Sequence, residues 1–134
     1  MEVILRIDEG PEKGRVFHFQ EAGNLLIGRQ DPTSKAHVNI GPEDPYISRH
    51  HFFIEVRPPN CLVRDNGSTN GVFVRYKGRR KWERIAESQV NEGDRIKIGK
   101  TIFSVSVTGQ VDDPAGYPSL DTLSFLGENT TPAV

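Results

Sequence analysis

Helical spacing is nearly absent from this chain, and short β-branched runs, cut every few residues by glycine, proline or asparagine, take its place. Val3, Leu5 and Ile7 alternate through Glu2–Asp8, and Phe52, Ile54 and Val56 alternate through His51–Val56. A period of two puts such residues on one face of an extended strand. Arg15–Phe19, Asn24–Ile27, Val38–Ile40 and Cys61–Arg64 read as further strands. So do Val72–Val74, Trp82–Ile85, Asp94–Ile98 and Thr101–Val107. Turn chemistry separates them at Gly10–Gly14, Pro58-Pro59, Asn91-Glu92-Gly93 and Gly99-Lys100. Many short strands with turns between them predict an all-β sandwich or barrel.

The alternation stops near Gly109. Residues 1–108 are expected to form one domain, and residues 109–134 a linker or C-terminal tail with few apolar anchors. Thr122, Thr130 and Thr131 in that tail are possible phosphorylation sites that the domain itself could capture. A formal net charge of −1 gives no global field toward nucleic acid or an acidic membrane. Any anion site must therefore be a local cluster. The single cysteine, Cys61, excludes an internal disulfide and suits a reducing compartment. At the start of a strand it reads as an inert core thiol. MEVILRID lacks a basic leader region, and no stretch approaches the roughly 20 apolar residues of a membrane span. A cytoplasmic location and no membrane partner are expected.

Three polar signatures lie between the strands: Gly28-Arg29, Ser48-Arg49-His50-His51, and Asp65-Asn66-Gly67-Ser68-Thr69-Asn70-Gly71. They supply cations, hydroxyls and an amide, with almost no apolar surface. A sandwich gathers its loops at two ends, so separated loops can converge. Arg29 offers a planar, permanently charged fork suited to two phosphate oxygens, and Arg49 a second cation. Ser48 and Thr69 offer hydroxyls, and Asn70 an amide able to hold a passing peptide backbone. Gly67 and Gly71 let the third loop turn sharply.

In this order the three signatures resemble the forkhead-associated (FHA) domain, and Glu92–Gly99 is similar to that family's last hairpin. The resemblance covers about residues 1–108. It implies an FHA-like β-sandwich of about eleven strands in two sheets, with ligand loops at one end. It also implies a non-catalytic module that binds phosphothreonine-containing proteins or peptides for signalling. Matched residue by residue, Arg29, Ser48, Thr69 and Arg49 correspond to phosphate contacts, and Asn70 to the residue holding the peptide main chain. Gln30, Tyr46 with Pro45, and Asn66 fall where peptide specificity is set, and Gly28, His51, Asp65, Ser68 and Gly71 correspond to structural positions. A Ser/Thr kinase or its substrate is the expected partner class. The alternative is that the domain is the regulatory N-terminal part of a Ser/Thr kinase or other enzyme lying beyond the chain.

Other chemistries fit less well. No Gly-x-Ser-x-Gly elbow, paired-cysteine or spaced-histidine pattern supports a nucleophile or a metal, so neither catalysis, metal nor cofactor is expected. His50 and His51, as neighbours on a strand, would point to opposite faces. Gly93–Thr101 ends in Gly-Lys-Thr, but the glycine spacing is one residue too long and the intervening residues alternate as a strand, so it is not a nucleotide loop. The basic run Arg75, Lys77, Arg79, Arg80, Lys81 and Arg84, with Tyr76 and Trp82, suggests a nucleic-acid face. The near-neutral chain favours a solvated hairpin instead, and no nucleic-acid partner is expected.

Overall fold

The computed structural model describes residues 1–109. The expected linker and its threonines, in 110–134, lie outside the described residues. Eleven strands form two sheets, with no helix among the described residues. In chain order they are β1 (Glu2–Glu9), β2 (Val16–Phe19), β3 (Gly23–Arg29), β4 (Val38–Ile40), β5 (Phe52–Arg57) and β6 (Asn60–Asp65). Then follow β7 (Val72–Arg75), β8 (Glu83–Ile85), β9 (Glu87–Gln89), β10 (Arg95–Ile98) and β11 (Thr101–Thr108). One sheet runs β2-β1-β11-β10-β7-β8 and the other β4-β3-β5-β6-β9. Pairing is antiparallel except between β3 and β4, which are parallel.

The inward faces are those the alternation marks. Val3, Leu5 and Ile7 of β1 face Phe52, Ile54 and Val56 of β5 across a core completed by Ile27, Val63, Val74, Ile96 and Phe103. Phe52 packs against the rings of Phe103, at 6.1 Å, and His51, at 6.4 Å between centroids. Aromatic pairs at such separations add to the burial of their area.

Strand directions decide where loops meet. β3, β4, β6 and β10 end where β5, β7 and β11 begin, so the connections after β3, β4, β6 and β10 share one end of the sandwich. The β1–β2 turn lies there too, and its side chains tie the two sheets together. Glu12 pairs with Arg15, whose guanidinium donates to the Asn39 carbonyl at the far edge of the other sheet. Glu12 is thus more than part of a turn.

Three expectations shift. Gly28 and Arg29 belong to β3 rather than to the loop after it. His51 precedes β5, and both histidines lie outside the strand. The strand ending at Ile85 is followed, after Ala86 alone, by a separate strand in the other sheet, β9, paired with β6. Glu-Ser-Gln has no apolar alternation to announce it.

Two measurements test the core. Phe52→Ala should lower unfolding stability by about 3–5 kcal/mol, read as a reduced urea midpoint. Burial pushes the Cys61 thiol up to about 12, so a thiol reagent at neutral pH should label it only on unfolding.

Candidate functional site

Arg29 is the last residue of β3, and its position is set by the residue before it. A Cβ at Gly28 would sit 1.8 Å from the Arg49 carbonyl oxygen, so only glycine lets the segment 48–49 lie against β3. That contact allows the Arg29 N–H to donate to the Ser48 carbonyl at 2.9 Å. The guanidinium Nη1 donates to the carbonyls of Ile47, at 2.7 Å, and Pro45, at 3.3 Å. Its Nε and Nη2 donate to no acceptor among the described residues.

The second signature is held from beneath by His51, which is fully buried. The Ser48 N–H donates to His51 Nδ1 at 2.9 Å, and the other ring nitrogen lies 2.8 Å from the Gly71 carbonyl. Nδ1 therefore carries the lone pair, and Nε2 carries the proton and donates. One neutral imidazole spans the second and third signatures. Burial holds its pKa below the ordinary 6.5, outweighing the Gly71 carbonyl and the charges of Asp65 and Asp44, which favour the imidazolium.

The third loop braces itself. Asp65 Oδ1 accepts the Ser68 N–H at 2.9 Å, and Ser68 Oγ accepts the Gly71 N–H at 3.0 Å. Asn66 joins it to the second loop, its N–H donating to the His51 carbonyl and its amide to the His50 carbonyl. Gly71 has φ of 90°, a conformation side chains rarely adopt, and the Arg84 guanidinium lies against it. Two contacts close the ring. The Thr69 N–H donates to Ser48 Oγ at 3.2 Å, and Asn70 Nδ2 donates to the Tyr46 carbonyl at 2.9 Å.

The result is a cleft of about 470 Å³ lined by polar groups. It brings together Arg29, Ser48, Arg49, Thr69 and Asn70, with Pro45, Tyr46, His50, Asn66 and Gly67 around them. Two arginines line it and no acidic residue does. Asp31 stands nearby on the Gln30 side, its pKa lowered by hydrogen bonds from Thr33 and by the charges of Arg49 and Arg29. Arg49 Nη1 also donates to Thr33 Oγ1 at 2.7 Å, which steers its side chain.

Gln30 does not line the cleft but a neighbouring recess, with Asp31, Pro32, Pro42 and Arg29, which borders both, while its N–H is spent on the Ile40 carbonyl. His50 accepts the Lys35 N–H at Nε2, so the two histidines make separate contacts, and the described residues hold no cluster suited to a metal. Of the basic run, Arg75 begins the connection at the end of β7 away from the cleft. Arg75 and Lys97 stack on Trp82, whereas Arg84 returns toward the site beside Gly71. No helix among the described residues is long and apolar enough to cross a membrane.

Asp44 is a participant that sequence reasoning misses. It is fully buried, and its carboxylate accepts the Lys100 N–H at 2.7 Å, the Thr101 hydroxyl at 2.8 Å and the Tyr46 N–H at 3.3 Å. Tyr46 is two residues away, but Lys100 and Thr101 are 56 and 57 residues away, beyond the reach of any local pattern.

This fold and loop arrangement define an eleven-stranded β-sandwich with a cationic cleft built from loops at one end. The FHA domain profile matches residues 25–99, more than half of the chain, and the chain belongs to the FHA domain family. Solved structures agree. An FHA domain studied for phosphothreonine-dependent FHA interactions is 28% identical, with a TM-score of 0.64, over 80% of this chain and 97% of that one. The FhaA FHA domain, in complex with the intracellular domain of Rv3910, is 28% identical with a TM-score of 0.61, over 77% and 98%. The FHA domain of CT664 from Chlamydia trachomatis is 26% identical with a TM-score of 0.64, over 81% and 100%. No curated protein matches the sequence significantly.

The state of His51 leads to a pH test. Because its folded-state pKa is depressed, the unfolded chain takes up the proton more readily. Its stabilisation is complete above about 6.5 and is lost as pH falls from there toward the folded-state value. His51→Gln should lower stability by about 2–4 kcal/mol at pH 7.5. Between pH 7.5 and 5.5 it should lose less stability than the wild type does, both read by urea denaturation.

Proposed function

We propose that this domain binds phosphothreonine-containing peptides or proteins without catalysing a reaction. The observation that carries the reading is the convergence of Arg29, Arg49, Ser48 and Thr69 on one cleft that no carboxylate lines. Arg29 takes phosphate oxygens through the N–H groups it does not spend on the loop, and Arg49 adds a second positive charge. The Ser48 hydroxyl accepts from the Thr69 N–H, which leaves its own proton to donate to phosphate. Thr69 adds its hydroxyl. Asn70 holds the peptide main chain, and Tyr46 and Asn66 flank the path it takes. The FHA relative studied for phosphothreonine-dependent interactions supports the choice of phosphoamino acid.

Electrostatics agrees with this assignment. A phosphothreonine brings a charge of about −1.5 to −2. Four hydrogen bonds to it contribute about 6–12 kcal/mol gross, against an association cost of about 4 kcal/mol or more. What remains suits a reversible signalling contact. The histidines give no general base for Ser48. His51 spends Nδ1 on the Ser48 backbone and Nε2 on Gly71, and His50 Nε2 is held by Lys35.

Calorimetry with phosphothreonine peptides selected from a library tests the reading. Wild type should bind them and show no measurable affinity for the same peptides unphosphorylated. Ser48→Ala should weaken binding by ~10-fold or more, the loss of one hydrogen bond to a charged group. Arg29→Ala should weaken it by ~100-fold or more. That variant also frees the Ile47 and Pro45 carbonyls, so its urea midpoint must be compared with wild type. Equal affinity for phosphorylated and unphosphorylated peptides would overturn the assignment.

A further inference from the structure

Beside the polar cleft lies a second recess, of about 300 Å³, lined by Tyr46, Asn70, Phe73, Gly99 and Lys100. Tyr46 and Asn70 line both hollows, so the two share a wall. The recess has a different chemistry from the cleft. Two aromatic rings, of Tyr46 and Phe73, give it apolar surface, and the Lys100 ammonium stands 5.3 Å from the Tyr46 ring centroid. Lys100 takes part in no ion pair among the described residues. No acidic residue lines the recess.

The recess is built rather than incidental. Two of its lining residues hang on one buried carboxylate, since Asp44 accepts the backbone N–H of both Tyr46 and Lys100. A Cβ at Gly99 would come within 2.7 Å of that carboxylate, and its φ of 55° also favours glycine in the turn. Further positive charge surrounds the aromatic floor. Phe73 is the cross-strand partner of Lys97 on β10 and Arg84 on β8, which places three cationic residues around it with Lys100. Lys97 leans onto Trp82 and Arg84 onto Gly71, leaving Lys100 as the cation that lines the hollow.

We infer that this recess receives an acidic side chain of the bound peptide, its carboxylate on Lys100 and its methylene stem against Tyr46 and Phe73. The inference rests on the phosphopeptide reading of the adjoining cleft and adds sequence selectivity to it. It makes Lys100 a specificity-determining residue and the favoured ligand a phosphothreonine with an acidic residue at one fixed offset. The Gly-Lys-Thr run at 99–101, unsuited to a nucleotide, thereby acquires a place in recognition.

The test is a phosphothreonine peptide library in which each flanking position in turn carries Glu, Leu or Lys. It is applied to the full chain as wild type, Lys100→Ala and Lys100→Glu. Wild type should show one offset at which Glu binds ~2–5-fold more tightly than Lys, the range of an exposed ion pair. Lys100→Ala should erase that preference and Lys100→Glu reverse it, with phosphate dependence kept in all three. Both variants should fold, because Asp44 engages the Lys100 backbone and not its side chain, and matching urea midpoints check this. Phosphate dependence without a Glu preference, a preference for Leu, or a Glu preference unchanged in Lys100→Ala overturns this inference alone. A library in which phosphate makes no difference overturns the reading of the cleft and this inference with it.

Discussion

One buried imidazole holds the site in register. His51 accepts the Ser48 N–H on one side and donates to the Gly71 carbonyl on the other. These groups belong to loops more than twenty residues apart, and neither loop has a helix or a long strand to stiffen it. An unpaired buried N–H or carbonyl costs about 1–3 kcal/mol, so each contact resists separation of the loops. The imidazole can make both contacts only while neutral, since its protonated form carries two donors and no acceptor. Phe52, next in sequence, anchors the same segment to the core through Phe103. Core packing and loop geometry thus meet at consecutive residues.

Around this bridge the cleft is assembled from backbone groups as much as side chains. Arg29 is fixed by the carbonyls of Ile47 and Pro45, Asn70 by that of Tyr46, and Ser48 by the Thr69 N–H. The glycine before Arg29 contributes by having no side chain, and the 48–49 segment occupies the space this leaves. The positive charge of the cleft is local, as a chain of net charge −1 requires.

Much of the fold is legible because a sandwich writes itself in local patterns. Val3, Leu5 and Ile7 announce β1, and Phe52, Ile54 and Val56 announce β5, because one face of each is fully buried. β9 leaves no such trace, since Glu87 and Gln89 are exposed and its place depends on pairing with β6. The polar signatures were visible because Arg, Ser, Thr and Asn cluster at strand ends, and the structure gathers Arg29, Ser48, Arg49, Thr69 and Asn70 into one cleft. Gln30 lines only the neighbouring recess, whereas Arg29 borders both that recess and the cleft. Asp44 and Glu12 were illegible as cross-braces. A single acidic residue in a loop has no periodicity, and its partners are set by how two sheets are stacked.

The contacts that shape the cleft are all made within the free domain, and this bears on timing. Loops that are already braced against one another leave less ordering to be done when the ligand arrives. In the proposed role, capture is switched by the covalent state of the partner's threonine, so occupancy of the cleft follows the enzymes that add and remove that phosphate.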